Sequence, residues 1–398
     1  MNSTSRSATA ARLNRLRPVG RTRVYVVFGG RSGEHEPSVT SALAVLENLD
    51  SSRYDVTSIG IGRDGRWLLI DDAAAVVENG GEICDGIPIE ESGDPLVATL
   101  VPPGRLPSSS AHWSDNGSRT DGPPAVFFPV LPGTYGEDGT IQGAFEMAGV
   151  PYVGAGVLAS AVGMDKAMSK EIFLQAGLPV PPYRMVLRSA WERDPEAVIQ
   201  TIERDFDYPT FIKPANSGSS LGVSKVWDRD GLISALHEAA EWDRRLIVEM
   251  AIDGREIELA VLGNEDPVVS IPGEVVPGAE FYSFYDKHID DKAREIIPAP
   301  LTPEQTRTSQ ELALAAFRTL DCCGMARVDL LLDRSSGRFW IGEINTLPGF
   351  RRKSMYPKLF EAMGYTYSQI LDRLIELALE RWSDRRRNRL SPRRLATA

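Results

Sequence analysis

The run from Arg327 to Asn345, RVDLLLDRSSGRFWIGEIN, leaves the backbone few choices. Two apolar stretches flank Ser335-Ser336-Gly337, the pattern of two strands joined by a tight turn. Side chains alternate faces along a strand, so Arg327 and Asp329 share one face. Glu343 and Asn345 share one face of the partner strand. A hairpin symmetric about Ser336 sets Asp329 opposite Glu343 and Arg327 opposite Asn345. Two carboxylates, an amide oxygen and a guanidinium then meet on one patch. Hard oxygen donors on rigid strands suit Mg²⁺ that is also held by nucleotide phosphates. The same pattern also describes a hairpin with one solvated polar face.

The rest of the chain bears on that choice. It has 398 residues, 42% of them hydrophobic, enough for a large core and for two or three domains. The net charge of −11 argues against a general nucleic-acid or membrane-surface binder. The three cysteines, Cys84, Cys322 and Cys323, form neither a disulfide framework nor a zinc pattern, so a reducing cytoplasm is expected. No apolar run approaches transmembrane length. Residues 1–22 are rich in Arg, Ser and Ala, without a hydrophobic segment, and read as a disordered tail. Residues 383–398 read as an arginine-rich tail after a helix.

Between the tails three parts are expected. Residues 23–154 read as an open α/β domain, with strands at Val24–Phe28, Tyr54–Ile61 and Ala125–Val130 and a helix at Ser38–Leu49. Ligands of such sheets sit at the carboxyl ends of the strands. An insertion near 79–124, rich in Gly, Pro, Ser and Asp, carries short strands at Ile87–Ile89 and Val97–Val101. Residues 155–248 open with one helix from Val157 to Ala176, stopped by Gly177 and Pro179. Strands at Thr210–Lys213, Val223–Val226 and Leu246–Glu249 follow, with a helix near 230–240. Residues 249–382 hold the hairpin and a closing helix.

Two loops can carry chemistry. Pro214–Val223, PANSGSSLGV, follows a strand ending in Lys213; its glycines and serines can wrap phosphate oxygens. Leu131–Gly143, LPGTYGEDGTIQG, has four glycines and an acidic pair. Each also reads as a plain surface turn. Neither GxxxxGK[ST] nor GxGxxG is present, so P-loop and dinucleotide folds are poorly supported.

The blocks GGRSGEHEPS, GEDGTIQG, GVLASAVGMDKAMSK, KPANSGSSLGVSKV, VEMAIDGREIE, GEVVPGAEFYSFYDK, ARVDLLLD and EINTLPGF stand in the order and approximate spacing of the D-alanine–D-alanine ligases. The chain resembles that family of ATP-grasp carboxylate–amine ligases from about Val24 to Arg381. The resemblance implies an α/β protein with α+β elements, in a three-domain ATP-grasp architecture whose N-terminal domain is open α/β. It implies ATP as co-substrate and two Mg²⁺ or Mn²⁺ ions. It implies two D-alanines joined through D-alanyl phosphate for peptidoglycan synthesis, in a cytoplasmic homodimer without nucleic-acid or membrane partners.

Roles follow from the resemblance residue by residue. Lys166, Lys213 and Lys287 are expected on the ATP phosphates, under a loop carrying Ser217 and Ser220. Glu249 accepts from the adenine amino group, Met250 to Ile252 pair with the adenine edge, Glu256 holds the ribose and Phe281 packs on the base. Asp329, Glu343 and Asn345 take the metal ions. Glu34 binds the first ammonium, with Ser219 orienting this group. Arg327 and a backbone N–H near Gly349 face the oxyanion, and Ser354 the second carboxylate.

Three positions depart from the family pattern. Pro132 stands for a usual His, His288 for a usual Tyr, and Arg351-Arg352-Lys353 for a mostly neutral segment. A titratable imidazole and three added charges leave room for another acceptor, such as D-lactate, D-serine or another amino acid. A nucleotide-binding regulator without catalysis is the alternative from another class, disfavoured because the site residues are all present.

Overall fold

The computed structural model describes residues 21–89, 124–278 and 293–389. The expected strand at Val97–Val101 lies outside them, as do Phe281, Lys287 and His288.

The first sheet comprises β1 (Thr22–Gly29), β2 (Tyr54–Ile61), β3 (Trp67–Ile70), β4 (Ile87–Pro88) and β5 (Val126–Val130), in the order β4-β3-β2-β1-β5. β1 lies between parallel neighbours β2 and β5, and Val24, Val26, Val27 and Phe28 are wholly buried. Burial on both faces is why β1 reads as an unbroken apolar run. Helix α1 (His35–Asn48) starts three residues before the expected Ser38. Pro37 lies in its first turn, where a missing N–H costs no helical bond. The short helices α2 (Ala73–Glu78) and α3 (Thr140–Ala148) follow.

The single helix expected at Val157–Ala176 is two helices, α4 (Val157–Met164) and α5 (Lys166–Gln175). Asp165 breaks it: its backbone is extended, and its carboxylate accepts from Ala167 N and Met168 N at 3.1 and 2.9 Å. A local side-chain cap competes with the helix here and wins. The break makes Lys166 the first residue of a new helix, its N–H on Ala215 O at 2.8 Å.

The second sheet is antiparallel, built from β6 (Tyr183–Leu187), β7 (Thr210–Pro214), β8 (Ser224–Val226) and β9 (Arg245–Met250) in the order β6-β9-β7-β8. Helices α6 (Arg188–Arg193), α7 (Pro195–Asp205) and α8 (Arg229–Trp242) share its core through Trp191, Ile202 and Leu236.

The third sheet contains β10 (Gly254–Gly263), β11 (Val268–Val269), β12 (Gly273–Val276), β13 (Arg294–Ile296), β14 (Gly324–Asp333) and β15 (Phe339–Asn345). Its order is β13-β12-β10-β14-β15, with β11 on β10. Ile257, Leu259, Val328, Leu330 and Ile341 face α9 (Pro303–Thr319) through Ala313, Ala316 and Phe317. Alternation then puts Glu256, Glu258, Arg327 and Asp329 on the other face. Two helices close the chain, α10 (Met355–Glu361) and α11 (Tyr367–Arg385). α11 runs through Ser383 to Arg385, so the basic tail starts later than expected. Its residues Ile370, Leu371 and Leu374 belong to the same core as Val26 and Phe128 of the first sheet.

Candidate active site

The hairpin pairs Arg327 with Asn345 and Asp329 with Glu343, the register expected from the sequence. It is not symmetric throughout. Near the turn Leu330 pairs with Ile341, and the register shifts between Leu330 and Asp329. Gly342 is the extra residue of this β-bulge. A Cβ there would stand 3.1 Å from Asp329 O, so glycine suits the close approach. The bulge keeps Ile341 and Ile344 in the core while Glu343 comes opposite Asp329.

Arg327 grips Asp329 with two bonds of 2.7 Å, from Nε and Nη2. Its Nε also lies 3.2 Å from Glu258 on β10. Burial opposes the guanidinium charge, but Asp329 and Glu258 outweigh it and hold Arg327 well above its ordinary range. Asn345 Nδ2 donates to Asp329 Oδ2 at 2.9 Å. Lys166 Nζ reaches Glu343 at 3.2 Å and donates to Ser217 O at 2.8 Å, joining the hairpin to the glycine-serine loop.

Asp329, Glu343 and Asn345 fit a magnesium site by donor chemistry. They are hard oxygen donors on neighbouring rigid strands, few enough to leave ligand positions for phosphate and water. No group of three or more His, Cys, Asp or Glu among the described residues could hold a metal without such help.

A second charged cluster lies on the other sheet. Glu249, 2% exposed, sits between two lysines: Lys213 donates to Oε1 at 3.0 Å, and Lys170 approaches Oε2 at 3.1 Å, off the hydrogen-bond direction. Burial disfavours the Glu249 charge, but Lys170 and Lys213 outweigh it and hold the carboxyl below its ordinary value. Met250 N donates to Pro182 O at 2.9 Å, so this N–H already has its partner within the protein. Ile252 follows β9, and Glu256 lies on β10 across from Leu331.

The loop of Ser217 to Gly222 lies directly over Glu34. A Cβ at Gly218 would stand 2.7 Å from Glu34 Oε1, and one at Gly33 3.0 Å from Leu221. Ser219 and Ser220 take positive φ of 47° and 58°, which L residues adopt at a cost. Ser217 Oγ bonds Leu221 O at 3.2 Å across the loop. Glu34, 7% exposed, also has Gly133 against it: a Cβ there would lie 2.9 Å from Oε1.

Beside Glu34 lies Glu137, a residue the sequence reading passed over within GEDG. It accepts from Gly133 N at 2.8 Å and from Leu347 N at 3.1 Å, tying the first part of the chain to the loop after β15. Burial and then the charge of Glu34 push its carboxyl up to about 8, against those two donors. The 131–143 loop is thus a buried junction with Leu131 and Glu137 inside, not a surface turn. Gly349 and Ser354 also meet: a Cβ on Gly349 would lie 3.1 Å from Ser354 Oγ, at the start of α10. Pro132 keeps one polar contact, its carbonyl accepting from Ser32 Oγ at 3.3 Å. Arg352 faces Glu47 of α1 at 3.5 Å.

Three residues escaped the sequence reading, each with a readable signal. Lys170 lies four residues after Lys166, on one helical face. Glu258 lies two after Glu256, on one strand face. Glu137 is the first acidic residue of the GEDG motif.

Comparison with known proteins identifies the family. The family model for the D-ala D-ala ligase N-terminus matches residues 23–155, and that for the D-ala D-ala ligase C-terminus matches residues 172–376. A D-alanine--D-alanine ligase of Heliobacterium modesticaldum is 48% identical over 92% of this chain and 96% of its own length. One from Ruminiclostridium cellulolyticum is 47% identical over 93% of this chain and 98% of its own. Among solved structures, the D-alanine-D-alanine ligase of Coxiella burnetii superposes with a TM-score of 0.73 at 32% identity, covering 92% of this chain and 96% of that one. The VanG D-Ala:D-Ser ligase of Enterococcus faecalis superposes with a TM-score of 0.72 at 32% identity, covering 90% and 100%. The fold is ATP-grasp, and the chain belongs to the D-alanine–D-alanine ligase family.

Proposed function

We propose that this protein joins two D-alanines into D-alanyl-D-alanine, with cleavage of ATP to ADP and phosphate, for peptidoglycan precursors. One observation carries the reading: the Glu34 pocket, the 217–222 loop and the Lys166–Glu343 contact lie in one continuous chain of contacts. The ammonium of the first amino acid meets Glu34, and its carboxylate is directed at the γ-phosphate. Both reactants are anionic, so Lys166, Lys213 and Lys287 offset their repulsion. Asp329, Glu343 and Asn345 would hold two Mg²⁺ or Mn²⁺ ions, which would supply further charge neutralisation at the transferring phosphate. The acyl phosphate that forms is prone to hydrolysis, and the loop seated on Glu34 excludes water. The second amine, deprotonated, then attacks the acyl carbon, and phosphate leaves with the electron pair of the broken C–O bond. Arg327, pinned by Asp329 and Glu258, faces the developing oxyanion together with a backbone N–H near Gly349. Ser354 receives the second carboxylate. Glu249, Met250, Ile252, Glu256 and Phe281 hold the adenosine, with Ser217 and Ser220 over the phosphates and Ser219 orienting Glu34. The protein acts as a cytoplasmic homodimer, as the family resemblance implies.

The test is phosphate release by purified protein with Mg²⁺, ATP and D-alanine. D-Alanine-dependent release with matching dipeptide is expected; ATP binding without turnover on any D-amino acid supports a regulator instead. A second reading, another acceptor, rests on the equal superposition of a D-Ala:D-Ser ligase. Competition between D-alanine, D-serine and D-lactate, between about pH 6 and 9 in wild type and His288→Tyr, tests it. A D-lactate share that rises at low pH only in wild type assigns acceptor choice to His288; equal ratios leave an ordinary D-alanine acceptor.

A further inference from the structure

Lys213 has two anions to serve. Its ammonium donates to Glu249 at 3.0 Å, and its side chain is 19% exposed, so it can also reach the phosphate assigned to it in the proposed ligase. Glu249 is 2% exposed and cannot follow a departing partner into water. A buried carboxylate stripped of its counter-ion is strongly unfavourable. If Glu249 had only Lys213, every turn of that lysine toward a phosphate would leave the carboxylate unpaired, and ATP would bind against that cost.

Lys170 removes the difficulty. It projects from α5 with 1% of its side chain exposed, 3.1 Å from the second oxygen of Glu249. Burial and the like charge of Lys213 act against its ammonium and lower its pKa, Glu249 and then Glu343 act for it, and the Tyr183 ring lies 6.0 Å away. It is too deep to touch a ligand in the cleft, so its charge stays on Glu249 whatever Lys213 does. We propose that Lys170 is a positioning residue for nucleotide binding: it retains Glu249 as a paired anion while Lys213 transfers from Glu249 to the ATP phosphates. One lysine is fixed, one is mobile, and the carboxylate between them is never without a cation.

The inference rests on Lys213 contacting phosphate in the proposed ligase, and the experiment separates the two. Nucleotide affinity is measured by calorimetry with ATP in the absence of D-alanine, and KM for ATP is measured apart from kcat. Wild type that binds no ATP overturns the site reading itself. Given binding, Lys170→Met is expected to weaken ATP roughly ten- to hundredfold, because Lys213 is then held back by Glu249. The main kinetic effect falls on KM for ATP rather than on kcat. In the double variant Lys170→Met, Glu249→Gln the buried charge is gone, while the amide oxygen still accepts a hydrogen bond. Affinity is expected to return to within a few-fold of Glu249→Gln alone. Lys170→Met that folds and binds ATP like wild type overturns the proposal. So does a double variant as weak as Lys170→Met, which makes Lys170 a packing residue only. Should Lys170→Met fail to fold, the double variant compared with Glu249→Gln decides: a large further loss on removing Lys170 where no carboxylate remains contradicts the hand-off.

Discussion

Glu343 meets Lys166 at 3.2 Å and stands across the ladder from Asp329, so its charge is shared between a lysine and the proposed metal site. Glu343→Ala should lower turnover by roughly 10²–10³-fold, and Glu343→Gln should also be damaging because it keeps shape but loses charge. Circular dichroism should stay unchanged for both, since Glu343 is not part of the core; full activity in either removes its assigned role. Glu137 gives a pH prediction. Its folded pKa, about 8, lies above the ordinary carboxylate value of 4.5. The native state therefore holds a proton that the unfolded chain has released between those values, and stability falls as pH rises from about 4.5 to 8. Urea midpoints across that window should decline in wild type and decline less in Glu137→Gln; an equal slope shows that Glu137 does not govern it. The two residues also differ in how far the sequence exposes them. Glu343 stands in an alternating strand and was legible by period. Glu137 lies in a glycine-rich loop, where burial comes from Leu347 and Gly133 folding over it, and no local pattern records that.

At the scale of elements, the loop 217–222 and the hairpin illustrate the same limit. The Pro214–Val223 loop was legible as a phosphate cradle from its Gly and Ser content, but its seat on Glu34, on another sheet, is a tertiary fact. Gly218→Ala tests that seat: its Cβ would stand 2.7 Å from Glu34 Oε1, so either the Glu34 carboxylate or the loop must shift. We expect KM for D-alanine to rise about tenfold, as a small misplacement of the loop does, and phosphate release to exceed dipeptide formation as water enters. Tight coupling and unchanged KM would show that the loop closes elsewhere. In the hairpin, polar alternation located the pairing of Asp329 with Glu343, yet the bulge was written too, as the F-x-I-x-x-I spacing of Phe339, Ile341 and Ile344. The helix break at Asp165 was harder to read, because Ala, Met and Lys around it all favour helix. Besides the cap, its extended backbone makes a bridge to Asn216, which lies far away in the chain.

Across the whole molecule the last helix holds the first and third parts together. Ile370, Leu371 and Leu374 of α11 are fully buried in a core that includes Val26, Phe128 and Met325. Polar contacts reinforce it: Tyr54 Oη donates to Asp372 at 2.8 Å, Arg53 pairs with the same carboxylate, and Trp382 Nε1 donates to Gly149 O at 2.8 Å. The sequence placed a closing helix there, but amphipathic spacing says only that one face is buried, not against which sheet. The consequence is that the first part does not own a complete core. A fragment of residues 21–155 would expose the side of its sheet that α11 covers, so it should not melt cooperatively. Leu371→Ala in the full chain should cost about 2–5 kcal/mol. Because its side chain joins a core shared by two parts, the loss should appear in the unfolding of both. Hydrogen exchange reports this directly: amides of β1 and β5 and amides of β14 should lose protection together in Leu371→Ala. Loss confined to α11 and β14, with β1 and β5 protected as in wild type, would show that the first sheet is stable without the last helix.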